Sequence, residues 1–142
     1  MANPGPASTI TVNAQSLTNT QGLVLLASYK GLSVSAAGDI AMNLAGPVAS
    51  FVPVTVVTSN SSGATVNVST ATVGIYTAPV QGGTAILTTA ALTGQTVASF
   101  AFVRAATAVS TGVVSSGVIY ANIGTAVAGG VVDLYLYGYN IS

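Results

Sequence analysis

Residues Val131-Val132-Asp133-Leu134-Tyr135-Leu136-Tyr137-Gly138-Tyr139-Asn140-Ile141 decide the fold class. Successive side chains of a strand point to opposite faces. Val132, Leu134 and Leu136 therefore share one face, while Asp133, Tyr135, Tyr137 and Tyr139 share the other. A helical period of 3.6 would scatter both sets. The stretch reads as a strand with one core face and one tyrosine-lined face.

Working back from this strand, the same period recurs. Gly117 to Ala121 reads as a strand, and Gln95 to Arg104 places Ala98, Phe100, Phe102 and Arg104 on one face. Thr84 to Thr88 reads as the return strand of a hairpin whose turn is Pro79 to Gly83. Val73 and Ile75 lie on the way into that turn, after a strand at Thr65 to Ser69 with its valines inward. Ser59 to Gly63 has the composition of a turn. Val52, Val54 and Val56 alternate with Pro53 and Thr55. Pro53 has no N–H to give a ladder, so this strand is expected at a sheet edge or with an irregular start. Asp39 to Leu44 suggests one helical turn, capped by Asp39 and stopped by Gly46-Pro47.

Leu23 to Ala27 reads as a short buried strand, and Ser8 to Asn13 as a half-buried one with Ile10 and Val12 inward. Residues 1–7 are rich in Pro and Gly and read as an extended arm. The expectation is an all-β chain: a single-domain antiparallel β-sandwich or jelly roll over residues 8–142, with an extended N-terminal arm.

Charge narrows the function. Of 142 residues, 51% are hydrophobic and only 3% charged, where about a quarter is usual. The four charged residues are Lys30, Asp39, Arg104 and Asp133, and the net charge is zero. Two cations cannot neutralise a run of phosphates or form a polybasic patch, which argues against nucleic acid and against an anionic membrane surface. No apolar run reaches the ~18 residues of a spanning helix, and the few aromatics do not form the girdles of a membrane barrel. Zero net charge with few charges of either sign favours association. The opening Met1-Ala2-Asn3-Pro4-Gly5-Pro6 has neither a basic nor an apolar region of a signal peptide, so either the chain is made and used in the cytoplasm, which is the expectation, or a signal has been removed.

The residues of common catalytic sites are missing. The chain has no His, no Cys and no Glu, and its only side-chain carboxylates are Asp39 and Asp133. A Ser-His-Asp triad is impossible, and a carboxylate pair would need both aspartates in one cleft. Lys30 with Ser28 or Ser33 could formally make a Ser–Lys pair, but Lys30 beside Gly31 reads as a solvent-facing turn residue. Gly82-Gly83 and Gly129-Gly130 lack the Lys and helix of a phosphate-binding loop. No enzyme activity, cofactor or metal is expected.

Three features bear on assembly. Tyr135, Tyr137 and Tyr139 read either as a contact surface or as the half-exposed face of a strand. Arg104 and Asp133 read either as an ion pair, within or between subunits, or as separate solvent-facing charges. The arm with Asn3, Pro4 and Pro6, followed by Ile10, reads either as a leader or as a segment that adds to a neighbour's sheet.

The runs Ser69-Thr70-Ala71-Thr72-Val73-Gly74-Ile75-Tyr76-Thr77 and Gly82-Gly83-Thr84-Ala85-Ile86-Leu87, with the ending Val132 to Tyr139, resemble small structural proteins of tailed-bacteriophage heads, the capsid decoration or cement proteins. The resemblance covers roughly the C-terminal half and is compositional. It implies a β-rich subunit, often trimeric, made in the host cytoplasm and bound outside the lattice of a major capsid protein, with no catalytic residues to carry over. Two other classes stay open. One is a subunit of a secreted or cell-surface β-rich filament. The other is a fibre or carbohydrate-binding module that would use the tyrosines and Asp133.

Overall fold

A computed structural model describes residues 22–60, 64–97, 101–105 and 112–142, with backbone only at residue 60 and at 101–105. Among these residues there are nine strands and no helix: β1 (Val24–Ser33), β2 (Gly38–Asn43), β3 (Ser50–Asn60), β4 (Thr72–Ala78), β5 (Gly82–Ala91), β6 (Ala101–Ala105), β7 (Val114–Ser115), β8 (Val118–Ile123) and β9 (Val131–Asn140). They form two antiparallel sheets. The first has the order β1-β9-β3-β6, with β7 also on β3, and the second the order β2-β8-β4-β5. Packed face to face, they make the expected β-sandwich.

The alternation in the sequence supplies the core. Leu32, Val56, Val132, Leu134 and Leu136 of the first sheet are buried in one cluster with Met42, Val73, Ile75, Ile119, Ala121 and Ile123 of the second. Loop residues Val34, Leu44, Val48, Val68 and Leu92 complete it. One polar pair lies inside: the Thr58 hydroxyl donates to Oε1 of Gln95 at 2.8 Å. At one corner the sheets join, where Ala27 bridges Leu44 and the Ala45 N–H donates to the Leu26 carbonyl.

Several local expectations change. Asp39 to Leu44 is not a helical turn, because Gly38–Asn43 is strand β2, paired along its length with β8. The Asp39 carboxylate caps no helix. It accepts hydrogen bonds from the Val80 N–H and from Asn122. Val52, Val54 and Val56 do not share a face, since the β3–β9 register slips by one residue between Pro53 and Thr55. A bulge of this kind reverses the inward set, so Pro53 and Val56 are buried while Val54 is 39% exposed. Of the two alternatives read for Pro53, the irregular one holds: β3 has β9 on one side and β7 and β6 on the other, so it is not an edge strand, but its ladder with β9 slips at Pro53. Pro53 sits in the gap between the residues paired with β7, Ser50 and Phe51, and those paired with β6, Thr55 to Ser59.

Thr65 to Ser69 is not a strand. Asn67 instead uses Oδ1 to accept the Val97 N–H, 30 positions along the chain, and the Ala71 N–H donates to the Val68 carbonyl in a turn. Finally, Leu23 to Ala27 is only half buried. A slip between Leu25 and Ala27 turns Leu26 and Ala27 inward and leaves Leu23 and Leu25 exposed.

Candidate assembly surface

β9 lies between β1 and β3, so its outward residues run down the middle of the first sheet. Directly opposite residues of neighbouring strands share a face. Tyr137 is flanked by Leu25 and Thr55, Tyr135 by Ser28 and Val57, and Tyr139 is opposite Val52. Tyr135 and Tyr137 are half-buried, and Tyr139 is 40% exposed. Alternate residues are ~7 Å apart along a strand, so the three rings make a stripe ~14 Å long. Where β9 ends and β1 begins, the stripe meets the exposed side chains of Leu23, Leu25, Val54 and Ile141. Val54 protrudes there because of the Pro53 bulge. A grouping of this kind is more informative than a single exposed leucine.

Asp133 lies towards the other end of this face. Asp133 is two positions before Tyr135, and its Oδ1 accepts the Gly31 N–H at 2.7 Å. Gly31 and exposed Lys30 form a bulge of β1 between Tyr29 and Leu32, with Gly31 at φ 68°. Asp133 thus holds a strand irregularity in place, a role that sequence reasoning missed. Arg104 stands opposite Val56 and Asp133 opposite Ser59, which sets the two strands apart, separated by β3, and three positions out of step. The Arg104 side chain lies outside the described residues, as do Asn3, Pro4, Pro6 and Ile10.

The outer face of the second sheet differs, because its own hairpin covers part of it. The tip of the β4–β5 hairpin lies over β8 and β2. The Val80 N–H donates to Asp39 Oδ2 at 2.9 Å, and Gln81 Nε2 donates to Asn122 Oδ1 at 3.1 Å. Asn122 Nδ2 donates to Asp39 Oδ1 at 2.8 Å. Thr89 Oγ1 donates to Asn122 Oδ1 and shares a 3.0 Å hydrogen bond with the Tyr76 hydroxyl. Gly74 is needed beneath this group, since a Cβ there would lie 2.5 Å from Thr89 Oγ1. The two carboxylates are therefore on outer faces of different sheets, each bonded to a backbone N–H, and do not meet in one cleft.

The hairpin turn carries strain. Gly82 N–H donates to the Pro79 carbonyl, and both central residues, Val80 and Gln81, have φ 57°. This is the pattern of a type I′ turn, whose central positions favour Gly, Asn and Asp. A left-handed conformation costs a non-glycine residue about 1–2 kcal/mol, and a β-branched residue is a real outlier there. The bonds from Asp39 and Asn122 hold the tip in this state. They leave the Val80 side chain 83% exposed. The sequence locates the turn, but the cluster that pins it joins residues up to 83 positions apart. Only the absence of Gly or Asn at the centre of the turn signals it.

Among the described residues no helix is long and apolar enough to cross a membrane. Compared with protein-family models, curated proteins and solved structures, the chain finds no match.

Proposed function

We propose that this chain is a structural subunit of a virion, a decoration or cement protein that binds the outside of a major capsid protein lattice and stabilises it. The observation that carries this reading is the outer face of the first sheet, open among the described residues. An uncharged tyrosine stripe runs down its centre, while the chain's own hairpin covers part of the opposite outer face. Tyrosine offers large contact area with few rotatable bonds, and interface cores are depleted in charge. The middle of the face, Tyr135 and Tyr137 with Val57 and Ser28, is the part we assign to the lattice. No catalytic step is assigned. Copies of the subunit associate, most simply as a trimer, and the protein resides on the capsid exterior after synthesis in the host cytoplasm.

The test is reconstitution. Purified chain is mixed with shells of the major capsid protein that lack it, and co-sedimentation is measured. Wild type should co-sediment at a fixed stoichiometry and raise the temperature at which the shells come apart. Tyr135→Ser/Tyr137→Ser should stay folded and remain in the supernatant. Wild type left in the supernatant would refute the proposal.

A further inference from the structure

The last strand on each side of a sheet is a template on which another chain can add a strand, and soluble β proteins blunt such edges with charges, bulges, short strands or a covering loop. A β-rich chain with low charge is the kind most exposed to that hazard. Here the few charges are not scattered. Among the described residues the sheets end in β1 and β6, and in β2 and β5. Lys30 lies in β1, Asp39 in β2 and Arg104 in β6. Asp133 is on central β9, but its carboxylate bonds to the Gly31 N–H of β1. All four charged residues of the chain are thus on an edge strand or bonded to one.

β1 shows how the edge is built. Between the pairs Tyr29–Leu134 and Leu32–Val132, β1 has Lys30 and Gly31 where β9 has only Asp133. The extra residue of a bulge lacks a ladder partner and bends the strand. Asp133 Oδ1 takes up the Gly31 N–H at 2.7 Å, and Gly31 supplies left-handed backbone at φ 68°, where a side chain would be strained. Lys30 is exposed beside it. Towards its start the same edge is closed differently: Ala27 bridges Leu44, and the Leu26 carbonyl accepts the Ala45 N–H. The rest of β1 runs from Ser28 to Ser33, with the bulge at its centre. A flat incoming strand would meet there a kink and a strongly hydrated cation.

The other edges are blunted by other means. On β2 the Asp39 carboxylate holds the tip of the β4–β5 hairpin through the Val80 N–H. The ladder of β5 with β4 slips between Val73 and Ile75, between Ile75 and Tyr76, and between Tyr76 and Ala78. β6 has only five residues.

We propose that Lys30 and the bulge at Gly31, held by Asp133, guard the β1 edge against strand addition by further copies of this chain. The guard lets a nearly uncharged subunit associate through its faces without growing into fibres. It is independent of what the tyrosine face binds.

The full chain and its variants, without capsid shells, are incubated at equal concentration, and the loss of soluble chain, thioflavin T fluorescence and fibre diffraction are followed. Wild type should stay in solution. Deleting Lys30 lets residue 31 stand opposite Asp133, so the deletion combined with Gly31→Thr makes the ladder continuous and removes the charge. This variant should lose soluble chain to fibres with the about 4.7–4.8 Å repeat of cross-β. Lys30→Val, an exposed substitution that leaves the fold intact, keeps the bulge and should form the same fibres more slowly. Lys30→Arg should stay in solution. Asp133→Ala frees the Gly31 N–H and should form fibres, whereas Asp133→Asn still offers an acceptor and should do so more slowly than Asp133→Ala. Leu136→Ala destabilises the core away from the edge and sets the fibre formation that follows from unfolding alone. Wild type that forms fibres, Lys30→Val and Asp133→Ala that stay as soluble as wild type, or fibres that grow no faster than those of Leu136→Ala would each overturn the proposal.

Discussion

The Thr58 hydroxyl donates a 2.8 Å hydrogen bond to Oε1 of Gln95, and neither side chain is exposed. Thr58 is on the inner face of β3, in the middle of the first sheet, and Gln95 follows β5, an edge strand of the second. The bond therefore ties the two layers together inside a largely apolar core. A buried polar group that loses its partner costs about 1–3 kcal/mol, whereas removing both partners costs less than the sum of the two single losses. Thr58→Val and Gln95→Leu should each lower the urea midpoint, and the double variant should lose less than the two together. Strict additivity would mean that the two side chains do not act as a pair.

Asp39 should stabilise the hairpin more than the sheet it belongs to. Its two oxygens accept from the Val80 N–H and from Asn122. Asp39→Ala should cost about 1–2 kcal/mol, in the range of hydrogen bonds to a partly exposed charged group. Amide hydrogen exchange should speed up at Val80 well before it does in β8. Equal acceleration in both would show that the hairpin does not open on its own.

Two glycines should respond differently to alanine. At Gly138 a Cβ would meet the Val52 carbonyl and Leu26 Cδ1, on the inner side of the Pro53 bulge. Gly138→Ala should destabilise by about 1–3 kcal/mol, as overpacking does. Gly117 has open space around its missing Cβ. Gly117→Ala should change stability by less than about 0.5 kcal/mol. Matching melting temperatures for the two variants would contradict the bulge geometry.

Adjacent residues of β9 should separate folding from assembly. Leu136 is fully buried, and Leu136→Ala should cost about 2–5 kcal/mol. Tyr137 points out between Leu25 and Thr55. Tyr137→Ser should give the smaller shift in thermal unfolding but the larger loss of shell binding per folded molecule. A Tyr137→Ser chain that binds shells as well as wild type would remove the tyrosine face from the account.

The β9 alternation was legible because nothing interrupts it: Val132, Leu134 and Leu136 face the core in the order in which they are written. The tyrosine face followed from the same reading. Val52, Val54 and Val56 misled because one extra residue at the Pro53 bulge reverses the faces, and that residue is set by pairing with β9. Asp39 looked like a helix cap because Asp before an apolar run and Gly-Pro after it fit a short helix. The ladder with β8, distant in sequence, decided otherwise. The strained tip at Val80 and the role of Asp133 at the Gly31 bulge depend on contacts between strands, which local pattern does not encode.

The central claim is that this subunit attaches through a neutral face, and the salt dependence of shell binding tests it most directly. The Debye length falls from ~14 Å at 0.05 M NaCl to ~4 Å at 0.5 M. A contact that depends on charge weakens over that range, while apolar burial at roughly 25 cal/mol per Å² does not. Co-sedimentation of the purified chain with capsid shells, titrated at both salt concentrations, should give the same dissociation constant within about twofold. Release of the bound subunit at the higher concentration would show a charge-driven interface and contradict the account.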